Sequence, residues 1–197
     1  MNKKGGILMG LLIAVGVILI MILMTALVAV GIYNGLIQKD VASEKAWANV
    51  QTAYERRLDL IPNLVATVKG AANFERDTQT EIAELRSGIR SASNAGEMQA
   101  VEGKINSLVS DLIVSVEAYP QLKATENFRA LQDELAGTEN RIKWERDNFN
   151  EKVQEYKVAV RTFPTNIIAG MFGFNQDKWS MFEAEKAAEK PVNVSFD

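Results

Sequence analysis

The chain has 197 residues and a formal net charge of −3, and it contains no cysteine and no histidine. Without these residue types there are no disulfides, no thiolate or imidazole metal ligands, and no usual base for a catalytic serine or threonine. The acidic balance argues against nucleic-acid binding. The distribution of basic residues argues against it too, since no basic run is longer than Arg56-Arg57. We therefore expect no catalytic residue, no metal and no cofactor, and no small-molecule substrate is indicated.

An uncharged run of 26 residues extends from Ile7 to Ile32, close to the start of the sequence. As a helix it spans about 39 Å, more than the roughly 30 Å of a bilayer core. A cleaved signal peptide is the alternative, but its apolar region is shorter, about 7 to 15 residues. We predict a retained transmembrane anchor over residues 1–33 that contacts membrane lipids through residues 7–32.

Small residues recur every four positions at the start of this span, at Gly6, Gly10 and Ala14. Such spacing lets a second membrane helix approach closely, so these positions are candidate membrane helix contacts. Lys3 and Lys4 precede the span, whereas Lys39 and Lys45 follow it together with acidic residues. The two sides differ only by these acidic residues, which count little in the orientation rule, so the pattern favours a soluble domain outside the cytoplasm only slightly.

Residues 34–163 contain four segments in which apolar residues recur every three or four positions, as in amphipathic helices that share a core. No segment alternates with the period of a strand. We predict an all-α protein: a single transmembrane helix followed by an elongated antiparallel four-helix bundle. The apolar stripes run from Trp47 to Ile61, from Leu64 through Val68 and Ala71 to Ile89, from Met98 to Tyr119, and from Phe128 to Phe163.

Prolines punctuate this pattern. Pro120 and Pro164 are predicted to end the third and fourth helices. Pro62 either ends or only kinks the first helix, since proline removes one helical N–H and restricts the residue before it. If the helix continues through Pro62, a three-helix arrangement is the alternative. Heptad-like spacing also permits an intermolecular coiled coil.

Polar residues interrupt the fourth stripe at Thr138 and Glu145, where apolar side chains are expected. Buried polar groups need partners. We interpret them as a hydrogen-bond network that sets the register of the bundle, with a polar pocket as the alternative. The candidate members of this network are Arg56, Arg57, Asp59, Thr138, Glu139, Asn140 and Glu145.

The segment 164–182 is aromatic, broken by glycine and poor in charge, and it precedes a polar tail at 183–197. Such an apolar patch must be covered. It can fold back on its own bundle, dock on a neighbouring subunit, or lie at the membrane interface. The candidate interaction residues are Phe172, Phe174, Trp179 and Phe182.

Several short motifs stand out along the chain: Tyr33-Asn34, Ala46-Trp47, RRLDLIPNLVATVKG from Arg56, YPQLKATENF from Tyr119, TENRI from Thr138, Phe149-Asn150 followed by Val153 and Tyr156, Phe163-Pro164 with Asn166, and Gly173-Phe174. Through these motifs the chain resembles, along nearly its whole length, the LemA family of bacterial membrane-anchored proteins. Ala71, Trp144 and Lys157 depart from the family pattern. The resemblance implies an N-terminal anchor and an antiparallel four-helix bundle in the bacterial cytoplasmic (inner) membrane.

The resemblance also implies that no enzymatic activity is established for the family, and that relatives are connected with specialised membranes such as magnetosomes or with membrane-protein quality control. We therefore expect a non-enzymatic scaffold or adaptor that binds other membrane proteins and copies of itself as a homo-oligomer. The alternative is a lipid-interacting protein that organises or shapes the membrane. A carboxylate-only hydrolase is a third hypothesis and requires two facing acidic side chains in a cleft.

Overall fold

The computed structural model describes the backbone of residues 3–67, 72–117 and 125–183, and the side chains of residues 9–66, 78–116 and 125–183. Within these residues the protein is all-helical and has no strand. The elements are α1 (Lys3–Thr67), α2 (Ala72–Ser91), α3 (Ala95–Glu117), α4 (Glu126–Arg161), α5 (Thr165–Phe172) and a 3-10 turn at Gln176–Lys178.

Helix α1 includes the uncharged run and continues beyond it without interruption. No residue from Met9 to Ile32 is buried, and the stretch is long and apolar enough to cross a membrane. A methyl group added at Gly10 would meet no atom within 4 Å, and Ala14 is exposed. The surroundings of Gly6 lie outside the described side chains, so the membrane helix contact stays a prediction.

Pro62 lies inside α1, which ends only at Thr67. The alternative in which Pro62 ends the helix is therefore wrong, as is the start of a new helix at Leu64. Leu58, Ile61 and Leu64 are all fully buried on one side of α1. Pro62 removes one backbone hydrogen bond from the helix. The burial of these three side chains stabilises the helix by more than the loss of that hydrogen bond destabilises it. The predicted positions Val68, Ala71, Tyr119 and Pro120 lie outside the described side chains.

The chain divides into two compact units. Unit 1 is formed by the chain up to Val41 together with Glu155–Lys178, and unit 2 by Ala42–Gln154 together with the chain from Trp179. Helices α1 and α4 contribute to both units.

A single apolar cluster forms the core of unit 2 and takes residues from α1, α2, α3 and α4. Ion pairs join the helices at its rim: Arg86 to Asp59 at 2.6 Å and Arg90 to Glu55 at 2.9 Å. The largest fully buried side chains of this core are Tyr54, Leu58, Ile61, Leu64, Ile89, Met98, Ile105, Leu112, Phe128 and Phe149.

Helix α3 begins with a side-chain cap. The Oδ1 atom of Asn94 accepts a hydrogen bond from the Glu97 N–H at 3.0 Å. The Glu97 carboxylate in turn accepts from the Ser93 N–H at 2.8 Å and from the Ser93 hydroxyl at 3.1 Å. These hydrogen bonds, the Ser93 N–H first, hold the pKa of Glu97 below its ordinary value. The arrangement satisfies helix N–H groups that have no partner within the helix.

Unit 1 has a smaller packed centre at Leu36, Tyr156 and Ala169. Phe163, expected on the buried stripe of α4, is instead 75% exposed. That prediction is wrong because α4 ends at Arg161 and the chain then turns, which takes Phe163 out of the helical register.

Candidate functional site

Three of the predicted network residues are buried in unit 2: Arg57 on α1 and Thr138 and Glu145 on α4. Thr138 donates its hydroxyl to the Leu135 carbonyl at 2.7 Å, within its own helix. Glu145 pairs through Oε1 with Arg141 at 2.6 Å, also within α4. The break in the apolar stripe thus corresponds to polar groups that lie inside the packed unit.

Arg57 is the network member that reaches from α1 to α4, where its guanidinium lies 3.8 Å from the exposed carboxylate of Glu139. Asp59 instead pairs with Arg86 of α2. Arg56 and Asn140 are exposed. The structure therefore brings together only part of the predicted set, and Asp59 belongs to a different helix pair.

Two buried polar atoms stand out in this region. Among the described residues, Arg57 Nε and Glu145 Oε2 have no hydrogen-bond partner. Leaving such groups unpaired costs about 1–3 kcal/mol each, and more when they are charged.

A groove of about 850 Å³ runs along α1 and α4 in unit 2. Its α4 wall extends from Ala130 to Glu145, which corresponds to about 22 Å of helix. Small residues at Ala53, Ala130 and Gly137 open it, and the buried side of Glu145 lines one end. The lining residues are Asn49, Thr52, Ala53, Arg56, Ala130, Asp133, Glu134, Gly137, Thr138, Arg141 and Glu145.

Sequence reasoning missed the small residues of this groove. The only available signal was the seven-residue spacing of Ala130 and Gly137, which places them on the same side of α4. Both positions are exposed, and a side chain added at Gly137 would meet open space.

The C-terminal aromatic residues Trp179 and Phe182 pack on unit 2. Phe182 stacks on Trp47 with ring centroids 5.9 Å apart, and Trp179 contacts Phe149 edge-on at 6.1 Å. The Asn150 amide fixes the backbone of Phe182 by accepting from its N–H at 2.8 Å and donating to its carbonyl at 3.1 Å. This part of the predicted interaction surface lies on the chain's own core.

A guanidinium connects the same region to α3. Arg146 donates to both carboxylate oxygens of Glu102 at 3.0 and 3.1 Å, and it lies 4.7 Å above the Phe182 ring. Burial raises the pKa of the neighbouring Tyr54 hydroxyl, and the negative charge of Glu102 raises it further. That phenol therefore stays protonated to a higher pH than an ordinary tyrosine does.

Phe172 and Phe174 lie elsewhere, in unit 1. Both contact Tyr33, with ring centroids 4.8 and 5.8 Å away. The four predicted aromatic residues are thus split between the two units. Within the part of the chain whose side chains are described, no group of three or more acidic residues is arranged to hold a metal ion.

An all-helical core and a long exposed apolar helix define a helical protein with one segment, among the described residues, that is long and apolar enough to cross a membrane. The model of the LemA family matches residues 46–196, and the chain belongs to this family.

Relatives agree with this assignment. The chain is 22% identical to magnetosome protein MamQ of Magnetospirillum gryphiswaldense and 21% identical to MamQ 1 of Paramagnetospirillum magneticum. Each match covers 81% of this chain and 68% of the relative. It is 29% identical to protein LemA of Metamycoplasma hominis, over 72% of this chain and 65% of the relative.

Proposed function

We propose that the protein is a non-enzymatic membrane-anchored scaffold that binds helices of other membrane proteins, including copies of itself, in the groove between α1 and α4. The observation that carries the proposal is the unpaired Glu145 Oε2 in a groove lined by small residues. Ala53, Ala130 and Gly137 allow the backbone of a partner helix to approach, and a hydrogen-bond donor on that helix satisfies the buried oxygen once the Glu145 side chain turns towards the groove.

We further infer that α1 to α4 form an antiparallel four-helix bundle in unit 2. Paired residues support it, because the numbers rise along one helix as they fall along the other. Along α1 and α2, Glu55 pairs with Arg90 and Asp59 with Arg86. Along α1 and α4, Trp47 contacts Phe149, and Arg57 lies near Glu139.

The proposal places the chain in the cytoplasmic membrane of a bacterium with unit 2 outside the cytoplasm. Lys3 and Lys4 before the span support this orientation. Because the chain contains no cysteine, a Ser110→Cys variant in intact cells tests it directly with a membrane-impermeant maleimide. Labelling before cell lysis supports the orientation, and labelling only after lysis contradicts it.

The groove is tested by filling it. Gly137→Leu places a side chain in the groove, and Gly103→Leu places the same side chain on exposed α3, where open space also surrounds the glycine. Both changes remove a helix glycine, so both favour helix formation. For each variant, two differently tagged full-length copies are expressed together and one tag is captured from solubilised membranes. The amounts of the second copy and of partner proteins recovered with it are measured.

We expect Gly137→Leu to lose co-capture that wild type and Gly103→Leu retain. Equal capture by all three proteins, or capture of the tagged chain alone by wild type, contradicts the proposal. A second candidate function is lipid interaction that organises the membrane, and the exposed apolar side chains of α5 favour it. The magnetosome proteins among the relatives are compatible with both candidates.

A further inference from the structure

Helix α5 has an unusual distribution of polarity. From Thr162 to Gln176 the chain carries no charge. Four large apolar side chains in this stretch are exposed: Phe163 (75%), Ile167 (53%), Met171 (72%) and Phe172 (59%). Ile167 and Met171 are four residues apart in α5 and therefore lie on the same side, while Ala169 faces the packed interior. A helix that faces water normally places polar residues on its outer side.

The position of α5 explains this exposure. Tyr33 follows Ile32, the last residue of the uncharged run, and its ring contacts Phe172 and Phe174. Gly173 ends α5 with a φ of 77°, which glycine adopts without strain, and the Phe174 N–H donates to the Ala169 carbonyl at 3.0 Å. Helix α5 is thus held beside α1 at the point where the apolar span ends.

Charged groups begin farther along unit 1. Lys39 and Asp40 are the first charged residues after the run, and they pair with Glu155 at 3.3 Å and with Lys178 at 2.6 Å. Lys39 lies seven positions after Ile32 in the helix, a rise of about 10 Å. The headgroup region on each side of a bilayer is about 5–8 Å thick. The uncharged zone that contains α5 is therefore about as thick as the headgroup region. The ion pairs lie where that region would meet water.

We propose that α5 lies in the headgroup and upper acyl region of the same bilayer that α1 crosses, with Phe163, Ile167, Met171 and Phe172 inserted among the lipids. It is then a second, monotopic contact that fixes the depth of unit 1 in the membrane. The inference rests on the proposed membrane anchorage and is independent of the groove in unit 2.

The test uses the full-length chain in phosphatidylcholine and phosphatidylglycerol vesicles, with one spin label at a time. Met171→Cys reports on α5, Leu19→Cys on the span, and Val114→Cys on an equally exposed apolar position of α3. Power saturation with oxygen, which concentrates in lipid, and with a water-soluble nickel complex measures the depth of each label. We expect the Met171 label to fall between the other two, with several-fold lower nickel accessibility than the Val114 label.

A second variant adds Phe163→Glu and Ile167→Glu to the Met171 label. These charges should shift the label to the accessibility of Val114 while the Leu19 label stays in lipid. A Met171 label with the water accessibility of Val114 overturns the inference, and so does one shielded from both reagents, which indicates coverage by protein. A Leu19 label in water overturns the anchorage itself, whereas loss of partner capture in Gly137→Leu leaves the α5 result unaffected.

Discussion

Glu145 is a carboxylate that the packing around it satisfies only in part. Arg141 meets one of its oxygens, but that guanidinium is 62% exposed, and the other oxygen is unpaired among the described residues. Solvent weakens a pair with an exposed partner, whereas the buried oxygen retains its desolvation cost. A residue that lowers stability in this way is expected where binding needs it.

Replacing Glu145 by Leu should therefore raise the free energy of unfolding by about 1 kcal/mol, because it removes a desolvated charge. The same change should abolish co-capture through the groove. Urea unfolding followed by circular dichroism measures the first effect, and tagged-copy capture measures the second. Glu151→Leu, an exposed position on the same helix, is the matched control. A loss of about 2 kcal/mol or more would indicate a register-setting network and count against a binding role.

The sequence predicted which residues of a helix are buried better than it predicted their partners on other helices. A polar residue inside an apolar stripe is visible from spacing alone, and Thr138 and Glu145 are indeed buried. Partners across helices are not visible, because spacing along one helix does not say which neighbour approaches. The partner of Asp59 could therefore not be predicted, and the structure pairs it with Arg86 of α2 rather than with a residue of α4. The groove was missed because small residues give no hydrophobic signal.

At the level of the elements, helix α3 depends on the cap formed by Asn94 and Glu97. Asn94→Ala should lower the free energy of unfolding by about 1 kcal/mol, since it leaves the Glu97 N–H without its side-chain acceptor. Thermal unfolding of the two proteins measures the difference. Asn140→Ala is the control, at a solvent-exposed position far from the ends of α4. It should leave the stability nearly unchanged, and an equal loss there would contradict the cap assignment.

The same cap predicts a dependence on pH. The folded-state pKa of Glu97 is lowered, chiefly by the Ser93 N–H. Its stabilising contribution is therefore present above the unfolded-state pKa and is lost as the pH falls through the folded-state pKa. Glu97→Gln should make the acid-side loss of stability shallower than in wild type. Parallel urea titrations from neutral pH to below the ordinary glutamate range test it, and identical slopes would contradict it.

Pro62 offers a test of how burial maintains α1. Proline cannot donate to the Leu58 carbonyl, so Pro62→Ala should restore that hydrogen bond and raise the free energy of unfolding by about 1–3 kcal/mol. Urea midpoints give the result. Glu44→Ala, at an exposed position of the same helix, is the comparison, and a lower midpoint for Pro62→Ala would show that the proline stabilises this part of α1.

The helices themselves were predictable wherever apolar spacing alone determined them. The expected fourth helix, from Phe128 to Phe163, corresponds to α4 at Glu126–Arg161. Its end was misplaced because Phe163 continues the apolar pattern although the backbone has already turned. The sequence left open whether Pro62 ends the first helix, because proline is a strong local signal for a break. The burial of Leu58, Ile61 and Leu64, which favours continuation of the helix, depends on packing against other helices.

For the whole molecule, the apolar part of α1 carries the strongest expectation. Ile18 and Ile22 are both exposed. The substitutions Ile18→Lys and Ile22→Lys should each raise the free energy of membrane insertion by about 2.5–3.5 kcal/mol at the centre of the bilayer. The wild-type chain should therefore stay with membranes after alkaline carbonate extraction, and the double variant should be released. Leucines at the same positions are the control. Release of the wild-type chain would show that the segment does not anchor it.

Arg146 has a consequence for behaviour in concentrated salt. Its guanidinium and the Glu102 carboxylate are 13% and 15% exposed, and the Phe182 ring covers the guanidinium. Dissolved ions weaken attraction mainly between charges that solvent surrounds. Attachment of the Phe182 segment to α4 should thus tolerate molar sodium chloride, while the more open contacts of Arg90 with Glu55 loosen. Lysine cannot replace this arginine, because an ammonium group lacks the flat surface that lies against the ring.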